Sequence, residues 1–288
     1  EIASCLVGSE MCIRDRCVTG VKLAAMKVES LDRGWFFNRG YESQAADKVT
    51  VDLPHTWNAA DAMFGNVNYY RGMSTYSRFI VVPSSENFKR VFLRVKAAQT
   101  VADVYLDNHF VAQHKGGYTS FTVELTHLIR KGEKHKLDIR VSNAQTMEIA
   151  PICGDFNIWG GLNRGVELLY TDDTCIDPTF YGSSGVFFTQ CDVSEKYAGL
   201  EMKALLSGTE MALNDCSIEF SLLDAKRKVV WCKETSVSGK EAVVKMELNN
   251  PHLWDGVNDP YLYTGVVVLK RGGKETVSYT HLTLPTTE

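Results

Sequence analysis

Apolar and polar residues alternate with a period of two along most of this chain, and the apolar positions are rich in valine, isoleucine, phenylalanine and tyrosine. Such a pattern buries one face of a pleated strand and leaves the other to water. It predicts strands at "KVTVDL", "YSRFIVV", "RVFLRVK", "ADVYLD", "HFVAQHK", "SFTVELT", "KLDIRVS" and "GVELLYT". They recur roughly every ten residues with polar turns such as "VVPSSENFKR" and "IRKGEKHK" between them, the spacing of an antiparallel sandwich. "YLDNHFV" reads as a hairpin, because Asp107 and Asn108 tolerate the positive φ of a two-residue turn. No stretch keeps the helical period for three turns.

The alternation pauses in "TDDTCIDPTFYGSSG", a run of Asp, Gly, Ser and Thr that marks a domain boundary. It resumes in "GVFFTQCDVS", "GLEMKALLS", "CSIEFSLLD", "KVVWCKETSV", "AVVKMELN" and "YLYTGVVVLKR". About seven short strands over about a hundred residues is the immunoglobulin-like count. Cys191, Cys216 and Cys232 do not reproduce the Cys-Trp-Cys framework of antibody domains, so the likeness is one of architecture.

The two ends break the pattern in a related way. Met11–Asp15 can be encoded by ATG TGT ATA AGA GAC, whose reverse complement encodes Val277–His281. An inverted repeat at both ends of a reading frame is what a transposase-tagged sequencing library leaves behind. Residues 1–16 and 277–288 are therefore read as adapter-derived and set aside from the fold. The natural chain is then expected to continue past both ends, and the apolar part of "CVTGVKLAAMKVES" is too short and too interrupted by Lys22 and Lys27 to assign a compartment.

Composition narrows the function more than the fold. A hydrophobic share of 44% with 23% charged residues suits a globular chain with a real core. The formal net charge of -4 offers no footprint for nucleic acid or anionic lipid. No apolar run is long enough to cross a bilayer as a helix. With Cys5 and Cys12 set aside, Cys17, Cys153, Cys175, Cys191, Cys216 and Cys232 are widely spaced and read as small buried thiols rather than a metal or redox pattern.

The familiar catalytic signatures are missing. There is no GxSxG elbow, no phosphate-binding glycine loop and no HExxH helix. His109 and His114 stand five apart on a strand, which predicts opposite faces and no shared metal. Two loops stand out, "FGNVNYYRG" at 64–72 and "CGDFNIWGGLNRGVEL" at 153–168, each concentrating amides, aromatics and glycine. Saccharide sites use this mixture, with Asp, Asn and Arg for hydroxyls and an aromatic face for the apolar side of the ring. The bland alternative is that Trp159 plugs an end of the sandwich and Gly160-Gly161 is a turn.

At these residues the chain resembles the N-terminal part of glycoside hydrolase family 2, nearest to bacterial β-galactosidases. The resemblance runs through "DRGWFFNRG", "VDLPHTWNAADA", "NYYRG", "GGYTSFTVELT", "GDFNIWGGLNRGVEL" and "NPHLWDGVNDPYLYTGVVV". It implies an all-β chain: a jelly-roll sugar-binding sandwich over 21–174, then an immunoglobulin-like sandwich over 180–276. It also implies a partner that this sequence lacks, a C-terminal TIM barrel that hydrolyses terminal β-linked sugars with retention, using two glutamates whose carboxyls lie about 5–5.5 Å apart. The family acid/base sits in an Asn-Glu dipeptide, and none occurs here, so no catalytic residue is assigned. Substrate contact falls by resemblance to Asp155 and to Asn66, with Asn68 an equally near candidate. Asp155 also matches a family aspartate that reaches a monovalent cation; the resemblance implies no cofactor in this chain beyond such a monovalent or divalent cation in the parent enzyme. Arg164 stands where the family shows Arg-Asp, but Gly165 replaces the acid, and a structural role is expected of it.

The partner expected is therefore a carbohydrate, with no nucleic acid and no membrane. A bacterial periplasmic or secreted enzyme and an oligomeric parent are both compatible with the resemblance. Three functions are weighed: the non-catalytic portion of a β-galactosidase-like hydrolase, a free-standing carbohydrate-binding module, and a structural sandwich pair. β-Glucuronidase and β-mannosidase relatives share the same domains.

Overall fold

Alternation becomes pairing in the computed structural model, which describes residues 26–40, 49–61, 69–84, 87–149, 158–272 and 274–282. The first sandwich runs through β1 (Lys27–Ser30), β2 (Trp35–Arg39), β3 (Val49–Val51), β4 (His55–Thr56), β5 (Met73–Val81) and β6 (Arg90–Val95). It continues through β7 (Val101–Leu106), β8 (His109–Lys115), β9 (Phe121–Glu124), β10 (Lys134–Ser142), β11 (Gly161–Leu162) and β12 (Val166–Thr171). One sheet is ordered β1-β12-β6-β9 and the other β3-β2-β5-β10-β7-β8, with β4 and β11 paired separately. All of the registered pairs are antiparallel.

The core lies where the two inner faces meet. Leu93, Val95, Val166 and Leu168 from the first sheet pack with Tyr76, Ile80, Val104, Leu137 and Ile139 from the second. The strand "VELLYT" is buried along its whole length, because its second face is covered as well: Leu169 and Phe92 pack with Cys175 beyond the sandwich. Strands covered on both sides read as continuous apolar runs.

The hairpin forms as its turn chemistry requires, with Asp107 at φ 49° and Asn108 at φ 66°. Just beyond it, one expectation fails. The register of β7 on β8 shifts between Val104 and Tyr105, so His109 pairs with Leu106 and His114 with Ala102. Residues directly opposite share a face, and Ala102 and Leu106 are both buried inward. The bulge therefore turns both histidines to the same face instead of opposite ones. Five residues of strand still hold them about 16 Å apart, and His114 is stacked on Phe121 at 4.4 Å.

The second sandwich comprises β13 (Cys175–Ile176), β14 (Val186–Cys191), β15 (Tyr197–Ser207), β16 (Cys216–Leu223), β17 (Val229–Ser236), β18 (Glu241–Asn249), β19 (Tyr263–Arg271) and β20 (Lys274–Leu282). One sheet has β15 between β18 and the pair β13 and β14, and the other is ordered β17-β16-β19-β20. Its core is Leu200, Met202, Phe220, Leu222, Val244 and Val267, as the immunoglobulin-like expectation requires. The single helix among the described residues, α1 (Glu210–Asn214), is one turn capped by the Thr209 hydroxyl. The backbone of Val277–Leu282, read from its codons as adapter, continues β20 opposite Tyr263–Val268. Of the cysteines, Cys175 and Cys216 are buried free thiols as expected, whereas Cys191 and Cys232 are exposed; Cys17 and Cys153 lie outside the described residues. Burial pushes the Cys175 thiol pKa up to about 11, which keeps it unreactive.

Polar contacts close the seam between the sandwiches. Arg90 donates to both oxygens of Glu124 at 2.8 and 2.7 Å and reaches across to the Ser207 hydroxyl at 2.9 Å. The Ser120 hydroxyl donates to the Gly182 carbonyl at 2.8 Å. A cavity of about 280 Å³ in the seam is lined by Lys89, Asp172, Asp173 and Arg271, and these charges pair with one another. The Arg90 guanidinium holds the Glu124 carboxyl below its ordinary value, outweighing burial. A depressed folded pKa gives stability that is present above the unfolded pKa, about 4.3 for glutamate, and lost as pH falls through the folded value. Melting temperature is thus expected to fall below about pH 4.3, and Glu124→Gln should lower it at pH 7 while flattening this acid slope. A thermal melt series from pH 7 to 3 measures both, and equal slopes would contradict the assignment.

Candidate functional site

The three residues to which substrate contact was assigned, Asp155, Asn66 and Asn68, lie outside the described residues. So does the cation role of Asp155. What the structure describes is where the two loops begin and end, and here it joins them.

Asn58 follows β4, and Asn143 follows β10 directly. They are distant in sequence, yet both are almost wholly buried, at 1% and 0% exposure. The Asn143 amide nitrogen donates to Asn58 Oδ1 at 3.1 Å, to the Tyr70 carbonyl at 3.2 Å and to the Ile158 carbonyl at 2.9 Å. Its Oδ1 accepts the Gly72 N–H at 2.9 Å. The Asn58 amide nitrogen in turn donates to Asp61 Oδ2 at 2.7 Å and to the Tyr70 carbonyl at 2.9 Å. Its Oδ1 takes the Gly160 N–H at 2.7 Å. Asp61 Oδ2 also accepts the Tyr70 N–H at 3.1 Å. Asp61 and Tyr70 belong to the two stems of the first loop, and Asn143 and Ile158 to those of the second. Backbone groups that leave a sheet must find partners when buried, and two asparagines satisfy both loops together.

The stems are also packed. The Trp57 ring lies against Gly160, where a Cβ would meet it at 1.9 Å, and is stacked on Phe37 at 6.0 Å. Thr56 Oγ1 donates to the Gly160 carbonyl at 2.8 Å. On the far side, the Asn163 amide donates to Gln99 Oε1 at 2.9 Å, and the Gln99 N–H donates to the Gly161 carbonyl at 3.0 Å. His55 Nδ1 is 2.7 Å from the Tyr76 hydroxyl, and burial lowers its pKa. Among the described residues, the Trp57 indole N–H and the Tyr69 hydroxyl, both buried atoms, meet no hydrogen-bond acceptor.

These positions decide the smaller readings. Trp159 is 43% exposed, so it does not plug the sandwich. Gly160-Gly161 is more than a turn, since Gly161 pairs with Thr56 in the β4–β11 ladder. Arg164 is exposed. Among the described residues no group of three or more His, Cys, Asp or Glu side chains gathers as a metal would require, and the cation expectation rests on Asp155, outside them. Asn58 and Asn143 were not singled out from the sequence. The only available signal was an asparagine closing an apolar strand in "IRVSNAQ" and another within "PHTWNAADA".

Comparison with known proteins follows the same division. The model of "Glycosyl hydrolases family 2, sugar binding domain" matches residues 28–172, and that of "Glycosyl hydrolases family 2" matches 184–283. A β-glucuronidase of Bacteroides fragilis is 37% identical over 256 residues, covering 87% of this chain and 36% of that protein. A β-galactosidase of Thermoanaerobacter pseudethanolicus is 27% identical, covering 76% and 29%. Among solved structures, a β-glucuronidase 2 of Bacteroides uniformis superposes with a TM-score of 0.79 at 25% identity, covering 90% of this chain and 32% of that one. The chain thus spans about a third of the length of these relatives. With two family models matched in order, each on its own sandwich, this chain belongs to glycosyl hydrolase family 2 and comprises its sugar-binding domain and the immunoglobulin-like domain that follows.

Proposed function

We propose that this chain is the non-catalytic, saccharide-facing portion of a retaining β-glycosidase acting on terminal β-linked sugars, and that the acid/base and nucleophile come from a barrel it does not contain. The observation that carries the reading is the joining of both loop stems through Asn58 and Asn143. A shared base for the two stems supports a joint sugar contact by residues of both loops. Asp155 and one of the two asparagines are proposed to hydrogen-bond sugar hydroxyls, with Trp159 offering an exposed ring.

A glycosidase acid needs a carboxyl whose pKa is raised. Among the described residues, every carboxyl with a resolved shift is moved down. Arg90 does so for Glu124, Lys115 for Glu148, and the Ser217 hydroxyl with Lys270 for Glu234. At Asp107 and Asp173 burial pushes upward but is outweighed, by His135 and by Arg271 with Lys89.

A galactoside is the substrate first proposed, from the β-galactosidase-like motifs. A β-glucuronide is the second reading, favoured by the 37% identity to a β-glucuronidase and by a structural neighbour that carries covalently bound cyclophellitol-6-carboxylate aziridine. Assaying this chain against chromogenic β-galactoside and β-glucuronide is expected to give no turnover. NMR titration with the two methyl glycosides should give weak changes, with Kd above about 1 mM, confined to the stems and lost in Asp155→Ala. Turnover free of contaminating enzyme would overturn the proposal, and tight binding would favour a free-standing binding module.

A further inference from the structure

We infer that Asn58 and Asn143 are positioning residues that couple the two saccharide-facing loops, so that neither loop stem holds its place without the other. The inference rests on the proposed function only for what the loops contact; the coupling itself stands on atoms.

The hydrogen bonds are divided unevenly between the two amides. Asn58 holds the first loop with its nitrogen, through Asp61 Oδ2 and the Tyr70 carbonyl, and the second with its oxygen, through the Gly160 N–H. Asn143 binds both stems with its nitrogen and uses its oxygen only for Gly72. Both side chains are buried, so water cannot replace a lost partner. A buried polar group left unpaired carries the full desolvation penalty. The pair therefore acts as a joint whose two halves can be released separately by exchanging an amide for a carboxylate.

The asymmetry predicts a pattern that general destabilisation does not produce. In Asn58→Asp, the new carboxylate still accepts from Gly160 and from Asn143, but it has no donor for Tyr70 and faces the Asp61 carboxylate. The Tyr70 N–H, which depends on Asp61, should exchange at least tenfold faster, while the Gly160 and Gly72 N–H groups keep their protection. In Asn143→Asp the three bonds from the amide nitrogen are lost and two acceptor oxygens meet where Asn58 Oδ1 was held. Tyr70 and Gly160 should then both exchange at least tenfold faster, with Gly72 unchanged. Leu93→Ala, which opens a hole in the same core at a residue whose side chain makes none of these hydrogen bonds, serves as the control for lowered stability.

The experiment is amide-resolved hydrogen exchange by NMR on the whole chain, for wild type and the three variants, with melting curves to match their stabilities. A second arm titrates each with methyl β-D-galactoside and methyl β-D-glucuronide. Asn143→Asp is expected to weaken whichever glycoside binds by about tenfold, and Leu93→Ala to leave its affinity unchanged. The inference is overturned if Asn58→Asp and Asn143→Asp give the same exchange pattern, if Leu93→Ala reproduces either, or if Asn143→Asp binds a glycoside as wild type does. If wild type binds neither sugar, the proposed function is in difficulty, and the exchange pattern still decides the joint.

Discussion

Gly161→Ala is expected to lower the melting temperature of the first sandwich by on the order of ten degrees. Two costs act at once. Gly161 has φ 141°, a conformation that side-chain-bearing residues rarely adopt, and an added Cβ would lie 2.2 Å from the His55 carbonyl oxygen and 3.0 Å from Thr56 Cα. Neither contact is with a flexible side chain, so relief requires the β4–β11 pairing to open. Left-handed or similarly strained backbone costs about 1–3 kcal/mol and forced overpacking about as much again. Opening that pairing would also release the Gln99 N–H from the Gly161 carbonyl. Gly34→Ala is the comparison, since Gly34 also has positive φ (74°) but nothing stands within 4 Å of its Cβ. Thermal unfolding followed by circular dichroism measures both, and a drop at Gly161 no larger than at Gly34 would show that the close approach is not what requires glycine.

Trp35→Ala is expected to be comparably severe, destabilising by about 3–5 kcal/mol. The ring is fully buried at 0% exposure and meets Tyr76 edge-on at 6.4 Å. Its indole N–H donates to the Leu31 carbonyl at 2.6 Å, and Arg78 sits over its face at 5.6 Å while also donating to that carbonyl. Alanine removes the ring volume, one hydrogen bond and the surface on which the guanidinium rests. Trp35→Phe separates these contributions: it keeps most of the volume and loses the hydrogen bond, for a cost nearer 1–2 kcal/mol by transfer and hydrogen-bond values. Urea unfolding of the three proteins tests the ranking. Equal losses for alanine and phenylalanine would mean that the hydrogen bond, rather than packing, dominates the position.

Several features could be read before any coordinates because they are local. The Asp107-Asn108 turn depends on the dihedral preference of two adjacent residues and is present with the expected positive φ. Strands such as β7 and β18 alternate cleanly because one neighbour in two faces a core. β2 was not legible in the same way: Trp35, Phe37 and Asn38 are buried and Phe36 is exposed, which breaks the period. The bulge beside His109 is a one-residue change in pairing that leaves no trace in the pattern of either strand.

The candidate site divides along the same line. Composition pointed to the loops at 64–72 and 153–168, and motif resemblance to the sugar-binding family, the second of which the family model bears out. Nothing in the composition of either loop indicated that they share a base. That follows from Asn58 and Asn143, which are 85 residues apart and 3.1 Å from each other in space. Periodicity and turn chemistry are properties of neighbouring residues, so the covalent chain already specified an all-β protein of two successive sandwiches. Burial and hydrogen-bond partnership are properties of pairs brought together through space. Which asparagines became buried clamps, and which histidines came to share a face, was settled only when the sheets closed.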